Sequence, residues 1–155
     1  MPKAITPYIP VGSDPTVEKF INCLMRKGKK SIARRIFSEA LEIMKTRTKE
    51  APLDVFNKAL VNATPLLEVR PRRVGGAVYQ VPVEVTARRQ QSLPIRWMIA
   101  AARERKGMDM AEKLALELLE AAAEQGGAVK KKDDILKMAQ ANRAFAHLAR
   151  TSGNR

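Results

Sequence analysis

From Leu67 to Thr86 the helical rhythm that governs the rest of this sequence stops. Val81, Val83 and Val85 alternate with Pro82, Glu84 and Thr86, the period of a half-buried strand. Upstream, Leu67, Val69 and Arg70 run toward Gly75-Gly76. A glycine pair between extended segments marks a hairpin, because a tight turn between twisted strands needs positive φ. Pro71 and Pro82 each lack a backbone donor, which makes both strands edges of a lone two-stranded ribbon. Arg70, Arg72 and Arg73 crowd its turn with few acids to balance them. Such a ribbon is marginal in water on its own. It is either a solvated surface hairpin or an arm held stiff by something anionic.

The segments on either side carry helical periodicity. Residues 1–13, with Pro2, Pro7, Pro10 and Gly12, predict an extended arm. Asp14 as N-cap and Pro15 at the first helical position open a helix, with Phe20, Ile21, Leu24 and Met25 inward and Gly28 as its stop. Ser31 is placed to cap a second helix with the stripe Ile32, Ile36, Ala40, Ile43 and Met44. A third runs from Pro52 to about Ala63, burying Val55, Phe56, Ala59, Leu60 and Ala63. After the ribbon, Ser92 is the expected cap of a fourth helix reaching Arg105, with Trp97, Met98 and Ala101 inward. Asp109 and Glu112 have capping-box spacing for a fifth, with Leu114, Leu118 and Ala121 buried and Gly126-Gly127 as terminator. Lys130-Lys131-Lys132 leads into a sixth, with the stripe Ile135, Met138, Ala139, Asn142, Phe145, Ala146 and Ala149, and residues 151–155 are expected to fray. The fold class is mainly α: one domain of about six helices with a β-hairpin projecting between the third and fourth.

Charge decides the class of partner. Twenty-nine basic side chains stand against sixteen acidic ones, a net charge of +13, in a chain whose 45% hydrophobic content is that of a folded protein. Such an excess is tolerated when the partner is a polyanion. The cations cluster: Arg26-Lys27-Gly28-Lys29-Lys30 is followed by Arg34-Arg35, Arg88-Arg89 follows the ribbon, and Arg96 and Arg103 fall on one helix face. Lys29, Lys30 and Lys130 to Lys132 sit at helix starts, where cations are unfavourable unless an anion such as phosphate faces them. Aromatic residues make up only 5%, which argues against base stacking as the main binding mode.

Enzyme chemistry has little to build on. His147 has Arg143 and Arg150 as neighbours and no carboxylate within a helical turn, and one His with one Cys, Cys23, cannot make a metal site. Lys27-Gly28-Lys29-Lys30-Ser31 departs from a P-loop, since residue 23 is Cys and Lys30 stands where Ser or Thr is needed. Asp133-Asp134 reads as helix-dipole compensation. No catalysis, cofactor or metal is expected. The single cysteine excludes an internal disulfide, no apolar run reaches membrane-spanning length, and the N-terminus lacks the core of a signal peptide.

Several motifs in a fixed order carry a resemblance. Asp14-Pro-Thr, Phe20-Ile21, Gly28-Lys29-Lys30 and Ile36-Phe37 with Ala40 come first. Arg72-Arg-Val-Gly-Gly and Tyr79-Gln-Val-Pro-Val-Glu-Val follow, then Arg96-Trp97, Ala101-Ala-Arg, Gly127-Ala-Val-Lys-Lys-Lys and Ala141-Asn-Arg-Ala-Phe-Ala-His. Over about residues 14–148 the chain resembles the S-seven family of small-subunit ribosomal proteins, of bacterial or organellar type. It departs from that family at its N-terminus, where only Lys3 is basic before Lys19, and in its tail, Leu148 to Arg155.

The resemblance implies a protein of the small-subunit head that binds the three-prime major domain of small-subunit rRNA and nucleates head assembly. Its hairpin would reach toward the exit-site tRNA and the mRNA path, beside small-subunit protein eleven. The expected rRNA-binding residues are Arg26, Lys27, Lys29, Lys30, Arg34, Arg35, Arg70, Arg72, Arg73, Arg88, Arg89, Arg96, Arg103, Lys130, Lys131, Lys132 and Arg143. Arg72, Arg73, Val74, Gly75, Gly76 and Tyr79 form the tip expected near tRNA and mRNA. The expected location is a bacterial cytoplasm or an organelle, with no membrane partner. Two rivals stay open from the residues alone: a non-ribosomal architectural DNA-binding protein and a membrane-surface or regulatory helical protein.

Overall fold

The computed structural model describes residues 12–152, and side chains as far as Ala149. The expected N-terminal arm therefore lies outside the described residues up to Val11, as do residues 153–155 of the tail. Among the described residues there are six α-helices, one two-stranded antiparallel ribbon and a closing 3-10 helix. The hairpin stands between the third and fourth helices, as the sequence predicts.

Helix α1, Pro15–Leu24, starts as expected. Asp14 is extended and accepts a hydrogen bond from Thr16 N over 2.7 Å, with Pro15 following at the first helical position. It ends four residues before Gly28, at Leu24, because Met25 turns to extended geometry. Gly28 instead serves a tight turn: Lys27 and Gly28 both have positive φ, and Lys29 N donates to Arg26 O over 3.1 Å. Helix α2, Lys30–Arg47, begins one residue before Ser31 and has no side-chain cap. Its buried stripe is Ala33, Phe37, Ala40 and Met44, rotated by about one residue from the expected one. The reason is aromatic: Phe20, Phe37 and Phe56 pack as a triad with centroids 5.2 to 5.5 Å apart, and seating Phe37 there turns Ile32 outward to 42% exposure.

Helix α3, Pro52–Asn62, buries Val55, Phe56 and Ala59 as expected. Strands β1, Leu67–Val74, and β2, Ala77–Glu84, pair antiparallel with Val74 opposite Ala77 and Leu67 opposite Glu84. Gly75 and Gly76 have φ of 59° and 86°, the double left-handed geometry of a two-residue hairpin turn. Val85 N donates to Leu66 O over 3.1 Å, which makes the even-numbered residues of β1 the hydrogen-bonded pairs. Pro71 opposite Gln80 and Pro82 opposite Val69 then fall at non-bonded pairs, where no ladder donor is lost. The ribbon is less isolated than the alternation suggests. Pro82 is buried along with Val81 and Val85, because α6 runs along β1 and the 3-10 helix covers β2.

Helix α4, Ala87–Glu104, starts five residues earlier than Ser92. Ser92 lies within it and returns its hydroxyl to Arg89 O at 3.3 Å, while Pro94 is accommodated inside the helix, fully buried. Helix α5, Met110–Ala122, buries Leu114, Leu118 and Ala121 and packs against α2, α3 and α4. Its end is made by Glu124 in left-handed conformation, with Gln125 N donating to Glu120 O (2.8 Å) and Glu124 N to Ala121 O (3.0 Å). Gly126 and Gly127 belong instead to the start of α6, Gly127–Ala141. A Cβ on Gly127 would meet Ala101 Cβ at 2.8 Å, so the glycine lets α6 press against α4. The expected sixth helix breaks at Asn142, and Arg143–Ser152 continues as 3-10 helix. Met138 is half exposed, whereas Ala128, Val129 and Ala139 carry the contact with the core.

Candidate nucleic-acid interface

The basic residues divide by what their charge meets inside the protein. Glu18, 2% exposed, accepts two hydrogen bonds from Arg34 (2.7 and 2.9 Å) and one from Ser13 Oγ (2.9 Å), with Lys30 Nζ at 3.4 Å. Burial pushes this carboxyl up, but the bonds from Ser13, Arg34 and Lys30 outweigh it and hold the pKa below the ordinary value. Lys30 therefore has its anion within the protein at the start of α2, and Lys30 and Arg34 are structural whatever else they touch. Glu68, also buried, gathers Arg70 (2.6 Å) and Arg89 (2.9 Å) and ties the base of the ribbon to α4. Lys132 Nζ donates to Asn62 O over 2.7 Å, at the C-terminal end of α3, where a cation suits the helix dipole. Arg35 pairs with Glu39 at 3.9 Å across one turn.

The rest face no carboxylate within ion-pair distance among the described residues: Arg26, Lys27, Lys29, Arg72, Arg73, Arg88, Arg96, Arg103, Lys130, Lys131 and Arg143. Three local arrangements order them. The turn Arg26–Lys29 presents its cations on a backbone in which Lys27 adopts φ 53°, a conformation that disfavours a non-glycine residue. Arg103 Nη2 donates to Leu24 O (3.2 Å), which brings the end of α4 to that turn. Burial, and then the like charge of Arg26, lower the Arg103 pKa from its ordinary value.

The second arrangement is a stripe. Arg96 and Arg103 share a face of α4 as expected, and because the helix begins at Ala87, Arg89 joins them at the same seven-residue spacing. Fourteen residues at helical rise make this stripe about 21 Å long. It runs from the ribbon base, held by Glu68, to the Arg26–Lys29 turn. The third lies at the ribbon, where Arg72 and Arg143 line one groove with Pro82, Ala139 and Ala146. Tyr79 packs on Phe145, centroids 5.1 Å apart. Val74 and Val78 are exposed near the turn. Arg88 stands in the first turn of α4, and Lys130 and Lys131 stand exposed near the start of α6.

Two features were missed by the sequence reading. Lys113, in the second turn of α5, lines the cleft beside Arg103 and Lys29. Glu117, 1% exposed, accepts from Ala128 N (3.0 Å) and from Arg105 (2.8 Å), so α5 caps α6 and positions its lysines. Arg105 also bonds Glu120, and those bonds raise its pKa, Glu120 contributing most. His147 Nδ1 donates to Ala144 O (3.1 Å) and stands exposed. Among the described residues no three His, Cys, Asp or Glu gather as a metal site, and no helix is long and apolar enough to cross a membrane.

The family model described as ribosomal protein S7p/S5e matches residues 2–143. The small ribosomal subunit protein uS7 of Dictyoglomus thermophilum is 58% identical over 146 residues, covering 94% of this chain and 93% of that protein. Those of Nitratiruptor sp. (58% over 139 residues, 89% of each) and Thermomicrobium roseum (52% over 145 residues, 94% and 92%) are also similar to it. These relatives are bacterial, and proteins of this kind are cytoplasmic constituents of the ribosome. The chain belongs to the ribosomal protein S7p/S5e family, a structural, non-enzymatic component of the small ribosomal subunit that associates with its rRNA.

Proposed function

We propose that the protein binds the three-prime major domain of small-subunit rRNA and nucleates assembly of the head of the subunit. The observation that carries this is the junction of the Arg26–Lys29 turn with Arg103: Arg26, Lys29, Arg103 and Lys113 gather around one cleft that no carboxylate lines. A polyanion offsets that repulsion. Folded RNA suits it, because A-form helices present phosphates and 2′-hydroxyls while hiding base edges in a deep groove. Arg26, Lys27, Lys29, Arg96, Arg103, Lys130 and Lys131 supply the backbone contacts that set orientation. Arg88, Arg143 and the outer faces of Arg35, Arg70 and Arg89 extend them. Lys30, Arg34 and Lys132 divide their charge between rRNA and the protein interior.

The ribbon tip serves the exit-site tRNA and the mRNA path, beside small-subunit protein eleven. Exposed Val74 and Val78 next to Arg72 and Arg73 support a contact that is part apolar and part ionic. The test is to isolate small subunits from cells whose only copy of the protein lacks residues 73, 74, 77 and 78, so that Gly75-Gly76 joins Arg72 to its cross-strand partner Tyr79. That deletion shortens the tip and keeps Tyr79 in the strand, beside Phe145. Normal incorporation with weakened exit-site tRNA retention is expected. Failure to co-sediment with small subunits in the full-length protein overturns the ribosomal reading, and unchanged tRNA retention overturns the tip's role.

A further inference from the structure

The cleft at the junction of α1, α2, α4 and α5, a space of about 410 Å³, is more than a basic patch. Its rim carries Arg26, Lys29, Arg103 and Lys113, and no acidic residue lines it. Its wall is apolar: Ile32, Ile36 and Met110, with Met25 beside them. Ile32 is 42% exposed although a β-branched side chain of that size ordinarily seeks the core, and it is exposed because Phe37 takes the core position. A phosphate-only site has no use for that wall, since phosphate groups gain nothing from apolar surface. An apolar peptide has no use for the rim.

A nucleotide with an unpaired base has use for both. We propose that this cleft is a subsite for one everted, unstacked rRNA nucleotide, its base against Ile32, Ile36 and Met110 and its flanking phosphates on the four cations. The inference rests on the rRNA-binding reading above and adds base burial to it. RNA proteins gain specificity at bulges and loops whose bases can be splayed out. The wall is aliphatic, so the base gains burial without aromatic stacking, and its identity is read weakly. Arg103 is fixed in place by its bond to Leu24 O, which gives the rim one preorganised donor group.

The test uses the full chain and three RNA hairpins of equal length: fully paired, with one unpaired adenosine, and with an abasic nucleotide at that position. The bulged RNA should bind about five- to tenfold more tightly than the abasic one, as expected for burying part of a base face. Ile32→Ser and Ile36→Ser should bring that ratio to about one, leave affinity for the paired hairpin unchanged, and keep the melting midpoint of Ile32→Ser within a degree or two. Lys29→Gln should weaken all three RNAs and reduce the salt slope by about one. Equal binding of bulged and abasic RNA by the unaltered protein overturns the proposal, as does a ratio that survives both serine variants. Displacement of RNA by a glutamate-rich peptide with the same Ile32 sensitivity overturns it in favour of an acidic peptide. Absence of binding to any of the hairpins or to small-subunit rRNA removes the rRNA reading itself, which is a different failure.

Discussion

Replacing Glu117 by alanine should destabilise the protein by several kcal/mol, about 3–4 when its contacts are taken one by one. Its Oε1 accepts from Ala128 N at 3.0 Å, its Oε2 from Arg105 at 2.8 Å, and its stem fills a place that is 1% exposed. Losing a helix cap costs about 1 kcal/mol. The lost bond to Arg105 costs a further ~1–2 kcal/mol, moderated because Arg105 keeps Glu120 and is partly solvated. The vacated volume adds about 1 kcal/mol. Together about 3–4 kcal/mol is lost, which for a chain of 155 residues lowers the melting midpoint by roughly 10 °C. Glu117→Gln keeps an acceptor for Ala128 N and most of the volume, so its loss should be about 1–2 kcal/mol. Calorimetry of both variants at one salt concentration, with amide exchange of Ala128, measures this. If alanine and glutamine cost the same, or if that amide stays protected in the alanine variant, Glu117 is not the cap of α6.

Three further outcomes follow from other contacts. Phe56→Ala should cost about 3–5 kcal/mol in denaturant unfolding, because it removes the member of the triad that meets both other rings edge-on. Gly127→Ala should cost about 1–3 kcal/mol through its contact with Ala101, and adding Ala101→Gly should recover part of it, as a thermal double-mutant cycle would show. Glu18 has a folded-state pKa below its unfolded value, so its contribution is complete above the ordinary carboxylate pKa near 4.5 and is lost as the pH falls through the depressed one. Unfolding measured between pH 6 and about pH 3 should therefore show a steeper acid loss in the unaltered protein than in Glu18→Gln, and equal acid slopes would refute the assignment.

Local rules with a single competitor were legible in the sequence. Asp14-Pro15 opened α1 because cap and proline act within one turn, and Gly75-Gly76 made the turn because few other residues accept two positive φ values in succession. The parity of Pro71 and Pro82 was also in the letters, once the register is known. What the sequence hid is tertiary. Gly126-Gly127 resembles a terminator, but Glu124 closes α5, while Gly126 is held at φ 90° against Glu117 and Glu120 and Gly127 is required by Ala101, a residue on another helix. Ser92 is the expected cap of α4, yet the helix begins at Ala87 and carries Ser92 and the buried Pro94 inside it. The α2 stripe shifted because a ring at position 37 could join two distant rings, and isoleucines at 32 and 36 could not. Likewise, charge clusters were readable but their partners were not. Glu18 and Glu68 lie sixteen and twenty-one residues from Arg34 and Arg89, beyond any helical spacing, and only the fold separates those cations from the uncompensated ones.

The central claim is that the uncompensated cations bind folded rRNA through its phosphates, and a salt titration tests it most directly. Affinity of the full chain for a fragment of the three-prime major domain should be measured across salt concentrations, beside duplex DNA of equal length. With on the order of six to ten phosphates neutralised, affinity should fall by about three to five decades between 50 and 200 mM salt, linearly on logarithmic axes. At every salt concentration the rRNA fragment should bind more tightly than the DNA. A slope near zero, or DNA bound as tightly as rRNA throughout, would contradict it.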